Sequence, residues 1–135
     1  MNTIEEPVLK PGDTQGYRIL VINPGSTSTK VAVYVDDTPL HVSTIRHKPE
    51  ELLPFEQIVD QRDFRTRIVH DWLEEKQIPL RFDAIIGRGG LAKPVAGGVY
   101  RVNRKMCYDT YSAMRKHACN LGCIIAYELA LKQAA

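Results

Sequence analysis

The chain has 135 residues, of which 44% are hydrophobic and 25% are charged, and its net charge is +2. That composition is ordinary for a globular protein, and the length allows one domain with a hydrophobic core. The charge is too small, and its basic and acidic residues too interleaved, for a nucleic-acid or membrane surface. The longest apolar run near the start is too short to span a bilayer, and three cysteines without CxxC spacing do not indicate a disulfide framework. We therefore expect a cytoplasmic protein with no nucleic-acid or membrane partner.

Residues 1–16 are predicted to form a flexible or loosely attached lead-in. The segment contains prolines and glycines and shows no hydrophobic periodicity. The ordered domain is expected to occupy residues 17–135.

Three short strands are predicted at the start of the ordered domain. Residues 19–22 (ILVI) form a continuous aliphatic run, which is typical of a strand covered on both faces. Residues 31–35 and 40–45 are the next two strand-like stretches, and Asp36-Asp37 between them marks a turn. Since short connections join all three strands, we expect an antiparallel meander.

The second half alternates helical and strand patterns. Between residues 61 and 76 apolar side chains recur at helical spacing, and Pro79 follows the end of that pattern. The other predicted elements are a strand over residues 82–87, an edge strand over 99–102, a helix capped by Asn103 and reaching about Met114, and a helix over 120–133. Three antiparallel strands followed by a helix and a parallel strand are typical of the ribonuclease-H-like fold. We therefore predict an α/β half-domain with a mixed β-sheet, three antiparallel strands then β-α units, and helices on its faces.

The most informative segment is residues 23–30 (NPGSTSTK), between the first two predicted strands. A tight turn there points successive backbone N–H groups into one small space, and Gly25 lets an oxyanion approach the main chain. Ser26, Thr27 and Ser28 add hydroxyl donors. This composition predicts a phosphate-binding loop.

The two ends of this loop carry further chemistry. Lys30 adds a positive charge, and Asn23 can donate to a phosphate oxygen or accept from a metal-bound water. The alternative is an ordinary hairpin turn, which uses proline, glycine and serine for their conformations alone. Four consecutive Ser/Thr residues are more than a turn needs, and the flanking strands are strongly apolar, so we favour the phosphate loop.

The pattern Asn-x-Gly-Ser-x-Ser-x-Lys after an apolar strand resembles the first signature of the acetate and butyrate kinases. The resemblance continues through residues 87–94 (GRGGLAKP) and 97–102 (GGVYRV), and it ends with residues 117–128 (HACNLGCIIAYE). The later blocks are more similar to butyrate kinase than to acetate kinase. The resemblance covers nearly all of residues 18–131.

This resemblance implies a fold and a function. The fold is the N-terminal half-domain of the actin-like ATPase and sugar kinase superfamily. The function is that of the phosphate-binding part of a short-chain carboxylate kinase, which transfers the γ-phosphoryl group of ATP to butyrate or a similar acid. ATP and Mg²⁺ are the implied cofactors, and a homo-oligomer is expected.

The resemblance also implies roles for individual residues. Asn23 would lie beside the magnesium–phosphate group as the metal-site residue, and Lys30 would support the loop. Arg88 would be catalytic, because a guanidinium stabilises charge on the transferring group. Acetate kinases carry both an arginine and a histidine in that block, and which of the two Arg88 matches stays open. The phosphate loop would be lined by Gly25, Ser26, Thr27 and Ser28.

His117 and Asn120 open the last predicted helix, and a helix N-terminus favours anions, so Asn120 is expected to contact phosphate. A helix cap explains both residues equally well. Cys119 and Cys123 are four residues apart and share a helical face, which allows a metal site with His117. Buried small hydrophobic residues explain the two cysteines better.

Members of the family are longer, and the resemblance implies that they hold the nucleotide between two such domains. Phosphoryl transfer depends on positioning and charge neutralisation, so half a cleft should lose nearly all activity. We expect residues 17–135 to be an N-terminal domain, truncated before the second domain and inactive alone. The alternative is a stand-alone nucleotide- or phosphate-binding pseudo-enzyme. A ribonuclease-H-like nuclease needs carboxylates on the first and fourth strands, and the first strand has none, so we set it aside.

A half-domain of this kind should also expose apolar surface and self-associate. The last helix is expected to contribute to that surface, because a helix this apolar needs cover on more than one side. The residues concerned are Leu121, Ile124, Ile125 and Leu129.

Overall fold

A computed structural model gives the fold and describes residues 16–89, 96–112 and 117–134. The predicted lead-in therefore lies outside the described residues, apart from Gly16. The strands are β1 (Arg18–Pro24), β2 (Ser28–Val35), β3 (Thr38–Arg46) and β4 (Ala84–Gly87). The helices are α1 (Pro49–Leu52), α2 (Arg62–Glu75), α3 (Arg104–Tyr111) and α4 (Leu121–Ala134), with short 3-10 helices at Ile58–Gln61 and Ala118–Asn120.

The four strands form one mixed sheet in the order β3-β2-β1-β4. Residues 25–27 connect β1 to β2 and residues 36–37 connect β2 to β3, and both strand pairs are antiparallel, as short connections require. The second turn uses Asp36 at a φ of 53°, a left-handed conformation that aspartate tolerates. β4 returns after α2 and pairs with β1 in parallel. The α/β class and the mixed sheet are confirmed.

The hydrophobic core lies between one face of the sheet and helices α2 and α4. Leu20 pairs with Val33, and Ile22 pairs with Val31, so these four side chains share one face. The same cluster includes Val69, Trp72 and Leu73 of α2 and Leu121, Ile124, Ile125 and Leu129 of α4.

The expectation that α4 forms an exposed apolar surface is wrong. Leu121, Ile125 and Leu129 are fully buried, and Ile124 is 4% exposed. The reason is that α4 contacts β1, β4, α2 and α3, so the domain itself covers these four residues, whereas Leu131 near the end of the helix is 53% exposed. The exposed large apolar residues of the sheet are instead Leu40, Val42 and Ile86.

The predicted edge strand over residues 99–102 is also wrong, since these residues lie outside any strand. Val99 is 68% exposed and therefore lacks the burial that would order a strand. The cap of the next helix is confirmed, because Asn103 Oδ1 accepts from the Met106 N–H at 2.8 Å. That helix ends at Tyr111 rather than near Met114, and residues 113–116 lie outside the described ranges.

Helix α1 and the 3-10 helix at Ile58–Gln61 were not predicted. The local signal for α1 was a proline at its first position with acidic residues behind it, and the Lys48 N–H donates to Glu51 Oε1 at 2.8 Å. None of the helices in the described ranges is long and apolar enough to cross a bilayer.

Candidate functional site

A cleft of about 350 Å³ lies where the β1–β2 hairpin, the end of β4 and the segment before α4 meet. β1 and β4 are parallel, so their carboxyl ends reach the same edge of the sheet, and the Arg88 N–H donates to the Ile22 carbonyl at 3.0 Å. Lys30 and Arg88 make the cleft cationic, and its described lining contains no aspartate or glutamate. The lining residues are Asn23, Pro24, Gly25, Ser28, Lys30, Arg88, Gly89, His117 and Cys119.

The predicted hairpin is confirmed, and its turn consists of Ser26 and Thr27. The Gly25 N–H donates to the Ser28 carbonyl at 2.7 Å, and the His47 N–H donates to the Thr27 carbonyl at 2.8 Å. The Gly25 N–H is therefore engaged within the hairpin. Among the described residues, the amide N–H groups of Ser26 and Thr27 have no hydrogen-bond acceptor. The tip of the hairpin thus offers free donors beside the cleft.

Arg65 of α2 supports this hairpin from inside the protein, and its side chain is fully buried. Nη1 donates to the Ser28 carbonyl at 2.9 Å, and Nη2 donates to the Ser26 carbonyl at 3.3 Å. Nε and Nη2 also donate to Gln61 Oε1, at 3.0 and 2.9 Å. Arg65 was not among the residues predicted for the site. Its signal was a basic residue at the same helical spacing as Val69 and Trp72, on the face that the core buries.

Thr29 and His47 complete the buried polar group under the hairpin. Thr29 Oγ1 lies 2.8 Å from His47 Nε2, and Arg65 Nη1 donates to the same hydroxyl at 3.3 Å. The His47 ring meets Phe64 edge to face at 5.3 Å. Burial lowers the pKa of His47, Arg65 lowers it further, and Glu51 partly opposes both. The imidazole therefore stays neutral at neutral pH, which suits its position next to a cation.

His117 and Cys119 form the opposite wall of the cleft. His117 caps the 3-10 helix before α4, since its Nδ1 accepts from the Cys119 N–H at 3.1 Å, and Cys119 Sγ lies 3.1 Å from the same nitrogen. Asn120 is fully buried and does not line the cleft. The structure thus brings His117 to Arg88 and Lys30, whereas it keeps Asn120 inside the domain.

Two glycines hold this wall against the sheet. A Cβ atom at Gly87 would overlap the carbonyl oxygen of Gly122, and a Cβ atom at Gly122 would overlap the carbonyl oxygen of Arg88. The start of α4 therefore packs backbone to backbone against the end of β4, which only glycine permits. Gly87 and Gly122 lie in two of the motifs described above, but no sequence pattern indicates that they contact each other.

The predicted loop residues do not all reach the cleft. Asn23, Gly25, Ser28 and Lys30 line it, whereas Ser26 and Thr27 are exposed at the tip of the hairpin. Gly25 has no positive φ, and a Cβ there would lie 3.4 Å from Ser28 Oγ, so the hairpin itself does not demand glycine.

The donor set suits an anion better than an isolated metal ion. Mg²⁺ prefers several oxygen ligands, and the described lining offers it neutral oxygens such as those of Asn23 and Ser28. A magnesium ion here would therefore be held largely by phosphate oxygens and water. Elsewhere in the described chain, a group with metal-ligand spacing lies on the exposed surface of α2, at His70, Asp71 and Glu74.

In the alternative of a metal site with Cys119, Cys123 and His117, Cys123 lies in the buried core. Cys123 is buried and donates to Thr110 Oγ1 at 3.7 Å, and burial raises its pKa. Burial, together with the neighbouring Cys123, raises the pKa of Cys107 to about 12. Both thiols therefore stay protonated and act as small core residues.

Known proteins resemble this chain strongly. It is 60% identical over 113 residues to a probable butyrate kinase of Bacteroides thetaiotaomicron and 47% identical over 113 residues to one of Phocaeicola vulgatus. It is 46% identical over 116 residues to butyrate kinase 1 of Clostridium acetobutylicum. The chain is homologous to the butyrate kinases. Each match covers 84% of this chain but only 32–33% of the relative, so the chain spans about a third of the length of these butyrate kinases. No protein-family model matches it.

The resemblance to the butyrate kinases that the motifs predicted is therefore confirmed. Three of the motifs also meet in space, because the hairpin, Arg88 with Gly89, and His117 with Cys119 line one cleft. Residues 90–95, which carry most of the second butyrate kinase motif and include Lys93, lie outside the described residues.

Proposed function

We propose that this chain is the phosphate-binding part of a short-chain carboxylate kinase, which transfers the γ-phosphoryl group of ATP to butyrate or a similar acid. The observation that carries the proposal is the cationic cleft between the hairpin, Arg88 and His117. The homologues named butyrate kinase supply the class of reaction. We further propose that the sheet belongs to the N-terminal part of a ribonuclease-H-like, actin-like ATPase domain. Its three antiparallel strands and its parallel fourth strand fit that pattern.

In this proposal the hairpin holds the phosphate chain of the nucleotide. The free N–H groups of Ser26 and Thr27 and the Ser28 hydroxyl donate to phosphate oxygens, and Lys30 neutralises charge. Asn23 would help to hold a magnesium ion, which would neutralise charge on the phosphate oxygens when bound. Gly25 leaves space for the phosphate beside the main chain. Asn120 is buried, so its role is to stabilise the fold rather than to contact the phosphate.

Arg88 is proposed to face the phosphoryl group in transit. Its backbone is fixed to β1 and to Gly122, so the guanidinium projects from a rigid support at the edge of the cleft. Phosphoryl transfer spreads negative charge over the equatorial oxygens, and a fixed cation stabilises that charge.

We propose that turnover needs parts of the longer kinase that this chain does not match. A single wall of cations binds phosphate but neither orients the acid nor excludes water. The isolated chain should therefore bind anions and show no acyl phosphate formation. The alternative, a stand-alone phosphate-binding module, predicts the same binding by this chain but no kinase activity in any extended form.

The test is a titration of the ¹⁵N-labelled chain with pyrophosphate and with Mg²⁺–ATP, followed by amide shifts. We expect the shifts to concentrate at the hairpin tip, Arg88 and His117. Lys30→Ala and Arg88→Ala should each weaken binding about tenfold, because a hydrogen bond to a charged group contributes about 1.5–3 kcal/mol. Exposed Arg67→Ala is the matched control and should bind normally. Amide shifts confined to other surfaces would refute the proposed site. In a separate kinase assay, ATP-dependent hydroxamate formation by the chain alone would refute the need for further parts of the longer kinase.

A further inference from the structure

Arg65 has an environment that a simple structural arginine does not need. Its guanidinium is fully buried and donates to four oxygen atoms, at distances of 2.9 to 3.3 Å. Two of these oxygens are the main-chain carbonyls of Ser26 and Ser28, at the hairpin that borders the cationic cleft. The contact joins residues 37 positions apart, so it depends on the tertiary fold.

All four acceptors are neutral. In the described part of the chain no carboxylate forms an ion pair with Arg65. Burial lowers its pKa to about 10, which still leaves it cationic at neutral pH. A buried charge without a charged partner is costly, and neutral hydrogen bonds only partly offset that cost. An anion held at the outer side of the same hairpin would supply the missing negative charge.

The hydrogen bond that Arg65 donates to the Ser26 carbonyl also decides which way the Thr27 N–H points. A trans peptide directs its C=O and its N–H to opposite sides. When the Ser26 carbonyl turns inward to Arg65, the Thr27 N–H of the same peptide turns outward, and that N–H has no acceptor among the described residues. The planar fork of arginine can hold both carbonyls and Gln61 Oε1 at once.

We propose that Arg65 is a positioning residue of the anion site, which orients the Thr27 N–H of the hairpin toward the phosphate and provides a buried counter-charge behind it. This inference rests on the proposed function, because Arg65 is assigned a role behind the residues that would contact the phosphate at the same site. Arg65 does not touch the ligand. It acts through the carbonyl groups of Ser26 and Ser28.

The experiment compares Arg65→Lys and Arg65→Met with the wild-type chain and with Arg67→Met, an exposed control on the same helix. Pyrophosphate affinity, hairpin amide exchange and urea denaturation are measured for each. Lysine keeps the charge and length but cannot bridge both carbonyls. We expect Arg65→Lys to fold and to bind pyrophosphate at least fivefold more weakly, with faster exchange of the hairpin amides. Arg65→Met should lose at least tenfold, and Arg67→Met should match the wild type.

A purely structural role predicts a different result. It lowers stability in both Arg65 variants but leaves the affinity of the folded fraction unchanged, and that outcome would overturn the inference. If Arg65→Met does not fold, the role of Arg65 is tested by the affinity of Arg65→Lys and by the Arg65 Nε–H resonance of the wild-type chain. That resonance should shift on pyrophosphate binding, and an unmoved resonance with unaltered Arg65→Lys affinity overturns the proposal. Absence of binding by the wild-type chain would refute the proposed function itself, whereas equal binding by wild type and Arg65→Met would refute only the role of Arg65.

Discussion

The two walls of the cleft are held in place by different physics. The hairpin wall rests on a buried polar group of Arg65, Thr29 and His47, whose side chains are joined to one another and to the hairpin by hydrogen bonds. The opposite wall rests on contact between the backbones of Gly87 and Gly122, with the apolar helix α4 behind it. Steric contact of this kind has no intermediate state, because a single methyl group cannot be accommodated. The hairpin wall can instead be weakened gradually, by a change of charge, by removal of one hydroxyl group or by a change of pH. The comparison predicts large effects from the glycine side and graded effects from the hairpin side.

The largest effect should come from Gly122→Ala or Gly87→Ala. Each adds a methyl group where a carbonyl oxygen already lies, so either the start of α4 or the end of β4 must move. Overpacking of a rigid contact costs about 3 kcal/mol or more, measured as the loss in the free energy of unfolding by urea. The matched controls are Gly89→Ala and Gly97→Ala, where a Cβ atom would meet nothing within 4 Å. A loss in the controls equal to that in Gly122→Ala would contradict the steric explanation.

A smaller loss is expected from Thr29→Val on the hairpin side. The substitution keeps the shape but removes the hydroxyl that lies 2.8 Å from His47 Nε2 and accepts from Arg65. An unpaired buried polar group costs about 1–3 kcal/mol in the free energy of unfolding. Thr29→Ser retains the hydroxyl and should recover most of the stability. If Thr29→Val and Thr29→Ser were equally stable, the polar group under the hairpin would not contribute.

The smallest effect is a pH dependence through His47. Its pKa in the folded chain lies below the ordinary 6.5, because burial and then Arg65 disfavour the imidazolium, with Glu51 partly opposing them. The unfolded chain therefore takes up the proton first as the pH falls. The stability contributed by neutral His47 is present above 6.5 and is lost as the pH falls through that value toward the lowered pKa of the folded state.

Urea denaturation between about pH 7.5 and pH 5.5 would measure this loss in the free energy of unfolding. His47→Gln keeps a polar partner for Thr29 and should flatten the slope, whereas exposed His41→Gln should leave it unchanged. A His47→Gln variant with the wild-type slope would assign the pH dependence to another group.

The sequence predicted those parts of the site whose information is local. The hydroxyl-rich turn joins two apolar strands, as the residue types of this segment predicted. Asn103 caps its helix because a cap needs only an oxygen and an N–H three residues ahead. The prediction of an edge strand over residues 99–102 was wrong because a strand needs a neighbouring strand to pair with, and local propensity cannot supply one.

The sequence by itself determined the α/β class, the hairpin, its capped helices and the relationship to the butyrate kinases, because periodicity, turn residues and motifs are all written within short windows. Only the tertiary structure decided that Arg65 lies under the hairpin, that Gly87 meets Gly122, that the first part of α4 is buried, and that His117 rather than Asn120 reaches the cleft. Each of those facts is a contact between segments far apart in the chain. Such contacts are set by the packing of helices on the sheet, and no local pattern of residues contains them.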